Sequence, residues 1–212
     1  MDQVEFSLPI VNGEYALFMN DLRNIAQAAR NEFIIISQEL AKKIVPFQAE
    51  RVSQWMNQAQ ICRPHFWCYY RLPSDHQDDV AIAIRLYGIP EQFGISVEVS
   101  IVERKRSEHS LSKQNKVLNQ PISAPLYYIV QENGNNYRMN GTEENRQLLV
   151  EQVKIGRVRK VLVKQDIPIT GQQPVEQLLD ELTEAFINLL PYYEVTKTVS
   201  YTHLTLPTIY SV

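Results

Sequence analysis

The clearest strand pattern in the chain is ISVEVSIV, residues 95–102. Its apolar side chains, at every second position, alternate with two serines and a glutamate. This period of two is typical of a strand with one buried and one polar face. Two preceding stretches, residues 66–72 and 80–87, repeat the alternation. Three such strands joined by short polar links predict an antiparallel meander with one apolar face.

Segments with helical periodicity flank the meander. Apolar residues recur every three or four positions over residues 15–40, with Ile25 and Ala29 on the stripe. This spacing predicts one long helix, or two helices in line, that end before Pro46. A similar stripe over residues 175–189 predicts a closing helix.

Weaker patterns predict the elements in between. Residues 103–119 and 143–155 have helical spacing, and Thr142 is a candidate N-cap for the second of these helices. Residues 124–130 and 158–163 predict a fourth and a fifth strand. The fold class expected from this order is α+β, with an antiparallel meander sheet of about five strands covered by helices.

The end of the chain is expected to lie outside the domain. Residues 199–208, VSYTHLTLPT, resemble the conceptual translation of a transposase sequencing adaptor. The resemblance implies that residues 199–212 are a non-native read-through tail and that a single domain covers residues 1–198. A genuine edge strand is the alternative, because the run contains residues that favour strands.

Composition and charge exclude several protein classes. The 21 basic and 24 acidic residues give a net charge of −3, which argues against a dedicated nucleic-acid binder while leaving room for a local basic patch. No apolar run approaches the roughly 18 residues that span a bilayer, so no membrane association is expected. Cys62 and Cys68 fit neither a disulfide framework nor a zinc site, which favours a cytoplasmic protein.

The positions of the glycines exclude the common nucleotide motifs. No two of the seven glycines are separated by a single residue, so a dinucleotide fingerprint cannot be written. None are spaced as a phosphate-binding P-loop requires. The histidines show no metal-ligand spacing. We therefore expect neither a cofactor nor a metal ion.

The polar side of the meander is the first candidate site. It carries aromatic rings, guanidinium groups and a carboxylate, at Trp67, Tyr69, Arg71, Arg85, Tyr87 and Glu98. Such side chains can stack a planar ring and hold an anionic group. This favours a binding or interaction module whose partner is a small molecule or a protein. The alternative is a solvated sheet face on which arginine and glutamate pair across strands.

A second candidate site is a metal-dependent nuclease centre. Asp79, Glu103 and Lys105 resemble the spacing of the PD-(D/E)xK nuclease core. In that core two acids hold Mg²⁺ and the lysine positions the attacking water. Neighbouring cations would supply a phosphate track. The alternative is a charged strand exit that faces solvent.

A family resemblance indicates the source of the protein but identifies no functional residues. Residues 63–71, RPHFWCYYR, together with IAIRL and SVEVS, are similar to a small family of bacterial proteins of undetermined activity, some of them labelled glucose-6-phosphate 1-dehydrogenase. The resemblance covers residues 1–198 and implies a bacterial source, with no catalytic motif to transfer. The dehydrogenase label conflicts with the missing dinucleotide fingerprint.

Overall fold

The computed structural model describes residues 14–54, 65–76, 79–89, 92–102 and 108–197. The helices in these ranges are α1 (Glu14–Lys43), α2 (Glu108–Asn115), α3 (Glu143–Lys154) and α4 (Val175–Lys197). The strands are β1 (Gln48–Ala49), β2 (Trp67–Arg71), β3 (Ala81–Ile89), β4 (Gln92–Ser100), β5 (Tyr127–Glu132), β6 (Asn135–Asn140) and β7 (Val158–Pro168). No helix in the described ranges is long and apolar enough to cross a membrane.

All described strands join one antiparallel sheet, in the order β1-β2-β3-β4-β7-β5-β6. The α+β class and the meander of β2, β3 and β4 are confirmed. The expected number of about five strands is too low, because the described ranges contain seven. The two additional strands are the short edge strand β1 and the hairpin strand β6.

Strand β6 was missed in the sequence because its alternation is short: in NNYRMN only Tyr137 and Met139 are apolar, and both are only partly buried. A two-residue turn creates it: Asn133 and Gly134 have positive φ angles of 50° and 82°. Asparagine followed by glycine is the preferred pair for such a hairpin turn. The register with β5 then pairs Glu132 with Asn135 and continues to the end of β6.

The helices pack on the apolar face of the sheet. Phe186 of α4 lies in the main core with its ring edge-on to Tyr70 of β2, at a centroid distance of 5.8 Å. The Tyr70 hydroxyl donates to the Ser37 carbonyl of α1 at 3.0 Å. Leu149 of α3 belongs to the same core. Burial of these side chains supplies the main driving force for holding the helices on the sheet.

The predicted stripe of α1 is wrong at two positions. Ile25 is 69% exposed and Ala29 is exposed. Among the α1 side chains that the structure describes, the first buried one is Arg30, whose Nη2 donates to the Val52 carbonyl at 3.0 Å, and Phe33 is buried after it. Periodicity shows which side of a helix is apolar, but the neighbouring elements decide how far along its length that side is covered.

The starts of α3 and α4 follow the predicted signals. The Thr142 hydroxyl accepts from the Asn145 backbone N–H at 3.3 Å, which is the expected N-cap. The Pro174 carbonyl accepts the first helical bond of α4 from Leu178 at 3.1 Å. Val175, placed on the buried stripe by the sequence, is 59% exposed, because burial on α4 begins one turn later.

Helix α2 fills a gap in the sheet. Beyond Val99, β4 and β7 no longer pair, and Gln114 Nε2 donates to the Val99 and Val161 carbonyls at 3.0 and 2.9 Å. The Asn115 side chain accepts from Val161 N and donates to the Arg159 carbonyl. The Gln114 amide thus satisfies two buried strand carbonyls that would otherwise have no strand partner there, and Asn115 continues the contact along β7.

Candidate functional site

The side of the sheet opposite the helices is the polar face. Trp67 on β2 is paired with Arg85 on β3, and Arg85 is paired with Ser96 on β4. Glu98 on β4 is paired with Lys164 on β7. Directly paired residues point to the same side of a sheet, so the polar face carries these side chains across four strands.

A small apolar cluster supports the polar face. Tyr69, Ala81 and Ala83 are buried, with Trp67 and Val102 packed against them. All of these residues belong to the sheet strands or directly follow one. Among the described residues, the helices contribute to the core on the opposite face and not to this cluster.

An ion cluster of Arg85, Glu98 and Lys164 lies on the polar face. Arg85 Nε and Nη2 donate to Glu98 Oε1 at 3.0 and 2.7 Å, and Lys164 Nζ lies 2.9 Å from Oε2. Glu98 is only 1% exposed. Burial raises the pKa of Glu98, but the Arg85 and Lys164 charges and hydrogen bonds lower it further, well below its usual range. Glu98 is therefore an ionised counter-charge that positions two cations, not a general base.

The aromatic rings of His65 and Trp67 adjoin the ion cluster. The Arg85 guanidinium carbon lies 5.2 Å from the centroid of the Trp67 ring, within the range of a cation–π contact. Arg85 Nη1 lies 2.9 Å from His65 Nε2, and the His65 and Trp67 rings are 5.8 Å apart. The cation that faces Glu98 is thus also fixed from the aromatic side.

A second charged group on the polar face consists of Tyr127, Arg138 and Asp166. The Tyr127 hydroxyl donates to Asp166 Oδ1 at 2.7 Å, and Arg138 Nη1 donates to Oδ2 at 2.9 Å. The Arg138 guanidinium lies 3.5 Å from the Tyr127 ring centroid. Burial, then the Asp166 hydrogen bond and charge, raise the pKa of Tyr127. The phenol is therefore a stable hydrogen-bond donor.

Sequence reasoning missed Lys164 and the whole of this second group. The signal that could have found Lys164 and Asp166 is their alternation with Val163 and Ile167, which extends β7 beyond residue 163. Gln165 interrupts the apolar pattern, because it points toward the helices and accepts from an α4 side chain. A single polar residue on the inner face was enough to hide the extension.

Gly94 gives Tyr87 its place on the polar face. The two residues are directly paired, and a Cβ at position 94 would lie 2.5 Å from the Tyr87 hydroxyl and 2.4 Å from the Ile167 carbonyl. Glycine therefore lets the Tyr87 ring lie across β4. Burial and then the Asp166 charge raise the pKa of Tyr87, consistent with a ring that points toward Asp166.

Arg71 does not belong to the ion cluster. Its Nε donates to Glu50 Oε1 at 2.7 Å, and its Nη1 donates to the His76 and Asp79 carbonyls at 3.1 and 3.0 Å. Arg71 thus holds the loop between β2 and β3. Its hydrogen bonds to described residues thus go to the loop and to the residue that follows β1.

Asp79, the one described member of the proposed nuclease set, is bound by lysines. Lys113 Nζ donates to Asp79 Oδ1 at 2.6 Å, and Lys197 Nζ lies 3.5 Å from Oδ2. Glu103 and Lys105 lie outside the described residues. In the described part of the chain, no group of three or more His, Cys, Asp or Glu side chains could hold a metal ion.

The Asp79 contacts predict acid sensitivity. Burial raises the Asp79 pKa, but the Lys113 hydrogen bond, the His76 backbone N–H and the Lys197 charge lower it to about 2. Because the folded pKa lies below the unfolded value of about 3.9, ionised Asp79 stabilises the fold above that value, and the contribution is lost as the pH falls toward about 2. We expect a contribution of about 2 kcal/mol.

Urea unfolding at a series of pH values checks this prediction. The free energy of unfolding of the wild-type chain should fall more steeply between about pH 4 and pH 2 than that of an Asp79→Asn variant, which has no carboxylate to protonate. Parallel pH profiles for the two proteins would contradict the assigned contacts.

Comparison of the chain with protein-family models, with curated proteins and with solved structures finds no match in any of the three. A function for this chain therefore rests on the chemistry of its polar face.

Proposed function

We propose that the protein is a binding module whose polar face holds a small ligand with an anionic group and a planar ring. The ion cluster carries the proposal: two cations surround one buried carboxylate on a face to which no described helix contributes. A buried carboxylate that neutralises only one of two cations leaves a local positive charge.

The charge balance of the face favours an anion. Arg85 and Lys164 exceed Glu98 by one positive charge, and Arg138 balances Asp166. The whole chain carries a net charge of −3, so the polar face has the opposite sign to the protein. A local positive potential raises the concentration of anionic ligands at the face.

The face also retains donors for such a ligand. Lys164 has three N–H donors, and among the described residues its ion pair with Glu98 uses one of them while 12% of the side chain stays exposed. The Arg138 side chain is 56% exposed while it holds Asp166. Phosphate and carboxylate groups are the natural acceptors for charged donors of this kind. The partly exposed Trp67 ring, next to Arg85, supplies an aromatic surface for a planar ring.

The dehydrogenase activity suggested by the family resemblance is not supported by this fold. Dinucleotide-binding folds have a mostly parallel sheet with helices on both faces. The described strands form an antiparallel sheet, and the described helices share one core. A protein partner that presents a carboxylate or phosphate is the alternative that fits the same face.

Thermal-shift measurements with a ligand panel test the proposal. The panel contains nucleoside monophosphates, glucose 6-phosphate, NADP, a single-stranded oligonucleotide and inorganic phosphate. A ligand at 100 times its Kd adds about 2.7 kcal/mol of stability, which gives a clear rise in Tm. We expect a saturable shift with a ring-bearing monophosphate and a smaller one with inorganic phosphate.

Two lysine variants show whether binding occurs at the polar face. Lys164→Gln should weaken the affinity by about tenfold or more, because a charged hydrogen bond to the ligand is lost. Lys154→Gln, at an exposed position on α3, is the matched control and should leave the affinity unchanged. Equal affinities for the two variants, or no shift with any ligand, would reject the proposal.

A further inference from the structure

We propose that Asn133 is a site of spontaneous covalent modification, at which the folded chain converts asparagine to isoaspartate. The sequence contains three Asn–Gly pairs, at residues 12–13, 133–134 and 140–141. The first pair lies outside the described residues. The other two pairs differ in their surroundings: residues 133–134 are exposed in a turn, whereas the backbone at residues 140–141 is hydrogen-bonded and Gly141 is buried.

The reaction needs only the chain and water. The backbone nitrogen of Gly134 attacks Cγ of Asn133, so that a new N–Cγ bond closes a succinimide ring. The Cγ–Nδ2 bond breaks, and ammonia leaves with the proton from the backbone nitrogen. Water then opens the ring at either carbonyl, which gives aspartate or isoaspartate. Glycine at the second position favours ring closure because it has no Cβ to hinder the approach.

The first described pair can make this movement. Asn133 and Gly134 are both exposed at the tip of the turn between β5 and β6. Apart from Gly134 itself and its two chain neighbours, no residue has an atom within 4 Å of the position that a Cβ on Gly134 would occupy. The paired residues nearest to the tip are Glu132 and Asn135, so the peptide between Asn133 and Gly134 lies outside the ladder.

The second pair is held from both sides. The Asn140 carbonyl accepts from the Thr142 backbone N–H at 3.0 Å and from Asn145 Nδ2 at 2.9 Å. Gly141 is buried, and a Cβ there would lie 2.2 Å from the Leu126 carbonyl. The Gly141 nitrogen can therefore reach the Asn140 side chain only after this region opens, which costs free energy.

Modification at Asn133 has a consequence for the polar face. Isoaspartate adds one carbon to the main chain, in a turn whose two residues fit the twist of the flanking strands. Strand β6 is at the edge of the described sheet and pairs there with β5 alone. It carries Arg138, which binds Asp166. Conversion at the turn should therefore loosen the Arg138 contact.

Peptide mapping of the aged full chain tests the proposal. The folded protein is kept at neutral pH and body temperature, sampled over weeks and digested. Conversion adds about 1 Da to the affected peptide, and isoaspartyl methyltransferase labels the isoaspartate. We expect Asn133 to convert about tenfold faster than Asn140, the ratio that an opening cost of roughly 1.4 kcal/mol at Asn140 produces.

Two controls keep the result specific. In urea the two pairs should convert at similar rates, because only the fold distinguishes them. An Asn133→Gly variant keeps a residue that tolerates positive φ and should lose the modification in this peptide while Asn140 keeps its rate. Equal rates in the folded chain, or faster conversion at Asn140, would overturn the proposal, as would an Asn133 that converts only in urea.

Discussion

Replacing Glu98 with alanine is expected to lower the free energy of unfolding by about 3 kcal/mol. The reason is that the carboxylate, at 1% exposure, is the shared counter-charge of Arg85 and Lys164. Their side chains are 22% and 12% exposed, so they cannot be fully rehydrated where they lie. Chemical denaturation of the wild type and the variant measures the difference.

A matched surface substitution isolates the effect of burial. Glu143 forms an ion pair with Arg146 one helical turn away, and its side chain is 49% exposed. Glu143→Ala should change stability far less than Glu98→Ala, because exposed ion pairs contribute little. Similar losses for the two variants would show that Glu98 does not depend on its buried partners.

Truncation of Phe186 is expected to have an effect at least as large. Its ring is 1% exposed on α4, and it lies edge-on to Tyr70 and to Phe47, at centroid distances of 5.8 and 5.0 Å. Phe186→Ala removes one of the contacts between α4 and the sheet and leaves a cavity, which costs about 3–5 kcal/mol. The midpoint of urea unfolding should fall accordingly.

The neighbouring residue provides the control. Ile187 is next to Phe186 on α4 and is 56% exposed. Ile187→Ala should change the free energy of unfolding by less than about 0.5 kcal/mol. Equal losses would contradict the assignment to core packing, because alanine is a better helix former than either residue and only one of the two side chains is buried.

The strands of the meander were predictable because their signal is local. Each of β2, β3 and β4 alternates along its own sequence, and the observed register keeps the apolar side chains on one face. Strand β6 has only two alternating apolar residues, Tyr137 and Met139, and its pairing with β5 completes it. So short an alternation is a weak signal, and the Asn133–Gly134 turn that precedes it is the stronger one.

The candidate site was predictable in part for the same reason. Trp67, Arg85 and Glu98 belong to alternating strands, so their common face follows from the sequence. Lys164 and Asp166 joined them because β7 lies between β4 and β5 in the sheet, out of chain order. Nothing in the sequence of β4 or of β7 specifies that these two strands pair. Their pairing follows from the assembly of the whole hydrophobic core.

The α+β class, the meander and the polarity of its two faces follow from local patterns, because side-chain alternation and helical spacing lie along short stretches of chain. The tertiary structure, in contrast, selected which charges meet on the polar face and which positions along α1 are covered. It also decided which described Asn–Gly pair is free to react, since Asn133 and Asn140 have the same neighbour in sequence but different surroundings. These outcomes depend on contacts between residues far apart in the chain, and the free energy of such contacts arises only when the core assembles.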